Sequence, residues 1–480
     1  MNTDQPSSTA RDSTIHDVRT IRRCSWHLAA VVIVAALLFR GGVLLAPGAL
    51  HGDPDGYRAL AENLVQYGTF GHGQRPTAYR PPLYPLLLSF AMALGPWSHA
   101  AMALMHLAMG LATVWLTYRL GRHAGLGRYA LAAAALVACD PILLAQSALV
   151  MTETLAALLA AVSLALLAGA SRRPSPGRAA AAGTCMALAV LCRPTFLLWA
   201  ILAAILLPWY AGRGGRASWR HAAVLLGCFA AAASLVLAPW AVRNQVCFGR
   251  AIVTTTHGGY TFLLANNPHF YQYLRSGEWG SVWSADELSR DFSSQVSRAG
   301  ADDELGVDRL AYALAWQNIR REPAMFFYAC AVRVGRLWAP LPHQRSPDEG
   351  LAVRGLRYGV GLWYGCEFLL AVAGILAVWR GTLTRISRPC RTDCQSVLRS
   401  TLLDTARLSE KCGPTLSQGE TGFIWVWAIL LAGSFTGVHT VYWTDMRMRA
   451  PLMPAVALAA AAGIEWIVGV VRRSKCWENR

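Results

Sequence analysis

The chain has 480 residues, 54% of them hydrophobic and only 15% charged, and its mean hydropathy is positive. That is more apolar than a single soluble core requires, and it excludes an ordinary soluble enzyme in favour of a polytopic membrane protein. The 44 basic residues against 27 acidic ones do not point to nucleic acid, because they stand in short clusters between apolar runs, the pattern that orients a membrane protein.

The N-terminal tail, residues 1–25, is polar and basic up to Arg22 and Arg23. The apolar run 26–47 is longer than a signal h-region and lacks a small-residue cleavage site, so it predicts a retained first span. Arg40 within it is expected to snorkel outward. A long outer loop, 48–98, opens with "HGDPDGY" and contains the short apolar stretch 82–95, expected to be interfacial or re-entrant, with a full crossing as the alternative. Spans follow at 99–119, 129–145, 150–170, 179–192, 194–210 and 221–240. The pair 179–192 and 194–210 is shorter than the roughly 20 residues of an upright span, so Arg193-Pro194 should sit at a dipped outer boundary.

Residues 241–356 form a second outer segment. Its stretch "AIVTTTHGGYTFLLANNP" is β-prone, with a tight turn at Gly258-Gly259 and another at Asn266-Asn267-Pro268. Ser284 and Glu287 have capping-box spacing for one helix, and a second should run from about 302 to Pro323, which cannot continue it. Residues 323–341 carry arginines and are expected to lie at the interface. A span at 357–380, a polar and aperiodic linker-like insert at 381–421, a hairpin at 422–471 and a tail at 472–480 complete the chain.

With the clusters around Arg22, Arg122, Arg173, Arg216, the insert and Arg472 all cytoplasmic, the spans between them must be even in number. The expected architecture is therefore an all-α integral membrane protein of about ten transmembrane helices. Both termini are inside, the first outer loop is long, and a small mixed α/β outer segment separates spans seven and eight. Cys139, Cys185, Cys192, Cys228 and Cys366 fall in apolar runs and read as small buried thiols. Cys390, Cys394 and Cys412 are irregularly spaced without a nearby histidine, so neither a zinc site nor a disulfide framework is implied.

Under this topology the polar motifs gather at the outer rim: Asp53 and Asp55, then Asp140, Thr152 and Glu153, then Arg193, then Trp240, Arg243 and Asn244, and last Arg447 and Arg449. Charge is far less costly there than at the bilayer centre, yet it still needs partners. Each residue alone reads as a snorkelling or capping group. Their convergence on one face reads as a site.

The segments "GDPDGYRALAENLVQYGTF", "RPPLYPLLL", "SALVMTETLAALLAA", "LAVLCRPTFLL", "APWAVRNQVCFG" and "MRMRAPLMP" resemble, in that order, the C-type membrane glycosyltransferases, a superfamily that includes protein O-mannosyltransferases and aminoarabinose transferases of lipid A. The resemblance implies a helical membrane bundle whose first outer loop carries a catalytic aspartate four residues before a tyrosine. That spacing selects Asp53 relative to Tyr57, with Asp55 as the nearer carboxylate. It also implies a polyprenyl-phosphate-linked sugar as donor and an acceptor hydroxyl on a glycan, glycolipid or protein. The expected setting is a bacterial inner or plasma membrane with an extracytoplasmic active site, membrane lipids as partners and no nucleic acid.

A lipid-phosphate sugar already has a competent leaving group, so the enzyme needs only a base for the acceptor and positive charge for the departing phosphate. Asp53 is the expected base. Arg193, Arg447 and Arg449 are the expected phosphate ligands, because guanidinium meets phosphate oxygens bidentately and keeps its charge near lipid. Glu153 either touches substrate or orients an arginine, and Arg243 either binds phosphate or caps span seven with Asn244. Tyr57, Tyr84, His257, Tyr260 and Asn266 are candidates for a sugar or acceptor pocket. Asp53-Pro54-Asp55 replaces the adjacent acids of several relatives, and Tyr79-Arg80 stands where lipid A transferases have an acid-lysine pair. A lipid A acceptor is thus disfavoured, and no bound divalent metal is expected. The competing readings are a transporter or flippase, which would use mid-span ionisable groups such as Glu367 and Glu465, and a non-enzymatic assembly or export subunit.

Overall fold

The structure is a computed structural model that describes residues 30–212, 219–277, 283–344, 348–386 and 418–478. The tail at 1–25 and most of the insert 381–421, with Cys390, Cys394 and Cys412, lie outside them. The fold is nearly all helical. Helix α1 (Ala30–Leu45) leads into the first outer loop, which holds α2 (Tyr57–Tyr67), a two-stranded hairpin of β1 (Gly71–His72) and β2 (Arg75–Pro76), and α3 (Leu83–Met92). The bundle continues through α4 (Ser98–His123), α5 (Ala130–Cys139), α6 (Pro141–Ser147), α7 (Glu153–Arg172), α8 (Pro176–Cys192), α9 (Phe196–Gly212) and α10 (Trp219–Phe248). The second outer segment contains α11 (Gly258–Ala265), α12 (Pro268–Ser276), α13 (Asp286–Ala299), α14 (Glu304–Arg321) and α15 (Pro323–Leu337). Helix α16 (Leu351–Ile386), α17 (Gln418–Val441) and α18 (Met453–Glu478) return through the bundle, with a 3-10 turn, Met446–Leu452, before α18.

Among the described residues, six helices are long and apolar enough to cross a membrane: Gly95–His123, Glu153–Arg172, Trp219–Phe248, Leu351–Gly381, Gly422–Val441 and Met446–Arg472. The chain is an integral membrane protein. The bent pair Gly127–Cys139 and Pro141–Ser147, broken by 46°, makes a seventh candidate, while α1, α8 and α9 are shorter apolar helices. Length and composition alone therefore reach seven of the expected ten spans among the described residues. Large apolar side chains such as Leu38, Leu104, Leu235 and Leu369 stand exposed on the bundle's outside, where lipid is as good a solvent for them as protein. Helix α7 sits inside, because alanines at 156, 157, 160, 161 and 168, all buried, let its neighbours approach closely.

The second outer segment differs from expectation. Among the described residues its regular elements are all helices joined by short loops, so the mixed α/β segment is not found. "GGYTFLLA" forms α11 because tertiary packing overrides its β-propensity. Gly258 and Gly259 make no tight turn. They begin the helix against α14, and a Cβ at Gly259 would collide with the Asp308 carbonyl oxygen. The capping box is also absent: Ala285 precedes α13, Ser284 Oγ accepts from Asp286 N at 3.2 Å, and Glu287 instead faces His269 at 3.3 Å. The Asn266-Asn267-Pro268 turn is present, with Asn267 Oδ1 accepting from Phe270 N at 2.8 Å to cap α12.

Several ionisable groups lie deeper than expected. Arg40 does not snorkel: it is buried and donates from Nη2 to the Val137 carbonyl at 3.0 Å. Asp140 lies at the break between α5 and α6. There its Oδ1 accepts from Leu143 N at 2.8 Å and from the Tyr364 hydroxyl at 3.0 Å. Glu367 is buried and accepts from Trp363 Nε1 at 3.1 Å. Low dielectric makes unpaired groups costly, so these residues are tolerated where the fold gives them partners. Cys366, expected buried, is exposed.

Candidate active site

Asp53-Pro54-Asp55-Gly56 forms a turn closed by Gly56 N donating to the Asp53 carbonyl at 3.3 Å. Gly56 has φ 73°, a left-handed conformation that disfavours side chains. This turn aims the Asp53 carboxylate back at the start of α2. Its Oδ1 accepts from Tyr57 N at 2.8 Å and its Oδ2 from Arg58 N at 2.9 Å. Asp53 thus caps the helix and is held in one orientation, half-buried, while each oxygen keeps a further lone pair. Asp55 pairs with Arg80 at 3.1 Å. The Arg80 guanidinium lies 5.7 Å from the Tyr57 ring centroid and 5.3 Å from that of Tyr79. Sequence reasoning noted Arg80 only as a departure from relatives and missed its role. The signal available was an arginine directly before Pro81-Pro82 in a loop that also carries Asp53 and Asp55.

Glu153, the first residue of α7, is buried and pairs with Arg193 at 2.9 Å. Arg193 lies in the short connection between α8 and α9; it also donates to Thr152 Oγ1 at 3.4 Å and contacts Met448 Sδ at 2.7 Å. Met448 belongs to the 3-10 turn, which brings Arg447 to the same place. Arg447 lies within electrostatic reach of Asp445, Glu153 and Asp55, and Tyr57 within reach of Arg80, Asp55, Arg193 and Glu153. Four segments far apart in sequence therefore share one site. The Arg447 Nε is taken by Asp445 at 3.1 Å, and its two Nη groups make no protein hydrogen bond among the described residues.

Tyr57 and Tyr84 floor this site. Their rings meet edge to face at 5.4 Å, and burial pushes the Tyr57 hydroxyl well above its ordinary pKa. The Tyr84 hydroxyl lies 2.8 Å from His106 Nε2; His106 Nδ1 donates to the Ser147 carbonyl at 2.9 Å, which leaves Nε2 to accept from Tyr84. Tyr84 is also within electrostatic reach of both Glu153 and Asp53.

Other candidates have structural partners. Arg449 is fully buried: its Nη1 donates to the carbonyls of Leu337 at 3.1 Å and Ala339 at 2.5 Å, and its guanidinium stacks 4.2 Å from the Tyr364 centroid. It fixes the base of the turn that carries Arg447. Arg243 lies on the last turns of α10, which runs past the expected end at 240, and donates to the carbonyls of Thr77 at 2.8 Å and Phe70 at 2.7 Å. It ties the first outer loop to the bundle. Asn266 is buried and donates to the carbonyls of Phe262 at 2.9 Å and Val441 at 3.1 Å. Its amide joins α11 to α17 rather than opening to a pocket.

His257 and Tyr260 flank Arg80. His257 packs on Tyr79 at 4.3 Å and stacks on Tyr260 at 5.8 Å, and Tyr260 reaches Ser289 Oγ at 3.2 Å. Glu304 fastens this region to the first loop: it accepts from Thr77 Oγ1 at 2.7 Å, from Ala78 N at 2.9 Å and from Thr256 Oγ1. Burial, then Arg80, depress the His257 imidazole from its ordinary 6.5 to about 3, with Asp55 opposing. Between these values the unfolded chain binds a proton that the folded chain excludes, so His257 removes stability as pH falls from 6.5 toward 3. His257→Gln is expected to flatten the acid limb of a plot of thermal unfolding temperature against pH, leaving the neutral limb unchanged.

Residues 79–242 match the family model described as dolichyl-phosphate-mannose-protein mannosyltransferase. The matched segment lies within the helical bundle and its first long loop. Of the candidate residues, Arg80, Glu153 and Arg193 fall inside the matched segment, whereas Asp53, Asp55 and Arg447 reach the site from outside it. Comparison with curated proteins gives no match. Among solved structures, the Archaeoglobus fulgidus oligosaccharyltransferase in complex with Zn and sulfate is 16% identical and covers 92% of this chain and 49% of its own, with a TM-score of 0.47. ArnT from Cupriavidus metallidurans bound to undecaprenyl phosphate is 13% identical over 91% of this chain and 77% of its own, TM-score 0.37. The arabinosyltransferase EmbB from Mycobacterium smegmatis is 18% identical over 88% and 42%, TM-score 0.34. The chain spans about half the length of the archaeal enzyme.

Proposed function

We propose that this protein transfers a sugar from a polyprenyl-phosphate donor to an acceptor hydroxyl at the extracytoplasmic face of a membrane, crossed by about ten helices. The observation that carries this reading is the convergence of the Asp53–Tyr57 turn, the Glu153–Arg193 pair and Arg447 in one place. Asp53 takes the acceptor proton through a lone pair not used by the helix N–H groups. The acceptor oxygen attacks the anomeric carbon as its bond to phosphate breaks, inverting that centre. The phosphate leaves toward Arg447, whose Nη groups face it, while Glu153 holds Arg193 beside it. No general acid is required, because the phosphate departs as an anion.

Arg447→Ala tests the phosphate assignment. A charge-assisted hydrogen bond contributes about 1.5–3 kcal/mol, so the variant should bind a polyprenyl-phosphate sugar about 10–100-fold more weakly, read as a raised donor KM in reconstituted membranes. Arg447→Lys should recover part of the loss, since it restores charge without the fork. Unchanged donor KM in both variants would remove Arg447 from the phosphate site.

A further inference from the structure

A cavity of about 400 Å³ lies at the end of the bundle away from the candidate active site and is lined by Trp115, Leu116, Arg119, Arg173, Arg178 and Ile424 among others. Its distance from the candidate active site follows from α7 alone: Glu153 begins that helix and Arg172, another lining residue, ends it. At 1.5 Å per residue these ends are about 28 Å apart, roughly one hydrocarbon thickness.

The lining divides by chemistry. Arginines make up its charged lining, which among the described residues includes no acidic side chain. Among the described residues Arg119, Arg173 and Arg178 form no ion pair. Arg119 is held over the Trp115 ring at 5.1 Å, and Arg178 Nη1 donates to the Arg173 carbonyl at 2.6 Å, so both guanidinium groups are placed yet keep donors unused. The rest of the lining is largely apolar, and Trp115 is 48% exposed. Arginines above and an apolar wall leading outward suit a ligand with a phosphate at one end and an acyl chain at the other. Basic pockets between helices on the arginine-rich side of a membrane hold anionic headgroups in this way.

We propose that this cavity is a binding site for a phosphate-bearing membrane lipid in the leaflet opposite the candidate active site. Native mass spectrometry of the full chain, with phosphatidylglycerol or phosphatidylcholine added at equal concentration, tests it. One phosphatidylglycerol should be retained about tenfold more readily than phosphatidylcholine. Arg119→Ala with Arg178→Ala should lower that retention about tenfold, and Arg128→Ala, an arginine near the same end of α4 that does not line the cavity, should leave it unchanged. The single Arg178→Gln variant, at an exposed position in the first turn of α8, carries the test if the double variant fails to fold. Equal retention of both lipids, or equal loss in the Arg128→Ala variant, overturns the proposal. Displacement of the lipid by millimolar inorganic phosphate overturns the lipid assignment in favour of a soluble anion.

Discussion

Asp53→Asn should lower the rate of sugar transfer by about 10²–10⁴-fold, the usual contribution of a positioned base, while the protein remains folded and binds donor within a few-fold of the parent. The geometry makes this substitution discriminating. The introduced asparagine can still accept an α2 N–H through its amide oxygen, as asparagine does at helix starts, so the cap is largely kept and the proton acceptor is lost. Asp53→Ala removes both, and should add about 1 kcal/mol of destabilisation to the catalytic loss. Transfer measured in reconstituted membranes with a labelled polyprenyl-phosphate sugar separates the two, alongside thermal unfolding in detergent. An Asp53→Asn protein that transfers at the parental rate would leave Asp53 as a cap and nothing more. Asp55→Asn is the comparison, because Asp55 is already paired with Arg80.

The second large effect concerns the pair behind the site. Glu153 and Arg193 side chains are 1% and 11% exposed and 2.9 Å apart. Removing one partner of a buried pair leaves an uncompensated charge and costs about 3–5 kcal/mol. Glu153→Leu should therefore lower the unfolding temperature sharply and abolish activity. Combining it with Arg193→Met replaces the pair by apolar groups of similar size, which is close to neutral in favourable cases. The double variant should regain stability and stay inactive. Recovery of both would make the pair a structural tie without a part in transfer, and recovery of neither would mean that the site depends on Glu153 for more than its charge partner.

How much of this was legible in the chain depends on whether the deciding interaction is local. The long apolar helices were legible, because hydropathy over twenty residues is a sum that neighbours cannot reverse. So was the turn that follows the first apolar helix, whose Pro-Asp-Gly is local chemistry. Glu153 and Arg193 could be named as candidates, but their pairing could not, since they are separated by two helices. The β-prone stretch was misread for the opposite reason: its local preference is real and is overruled by α14, which packs against Gly258 and Gly259. Arg243, Arg449 and Asn266 carry the right chemistry for a site, and the fold engages them with backbone carbonyls.

The sequence by itself determined that this protein lives in a membrane and which of its residue types could serve lipid-phosphate chemistry. These follow from composition and from periodicities set by the helix itself. Only the tertiary structure decided which charges face the outer site and which are consumed inside the bundle. Arg447 and Arg449 are two residues apart, yet one keeps its Nη donors near Asp55 and Glu153 while the other is fully buried against Tyr364 with its Nη1 on two backbone carbonyls. That division arises because a charge in low dielectric takes whichever partner the packing supplies, and the partners of Arg449, at Leu337 and Ala339, are more than a hundred residues away.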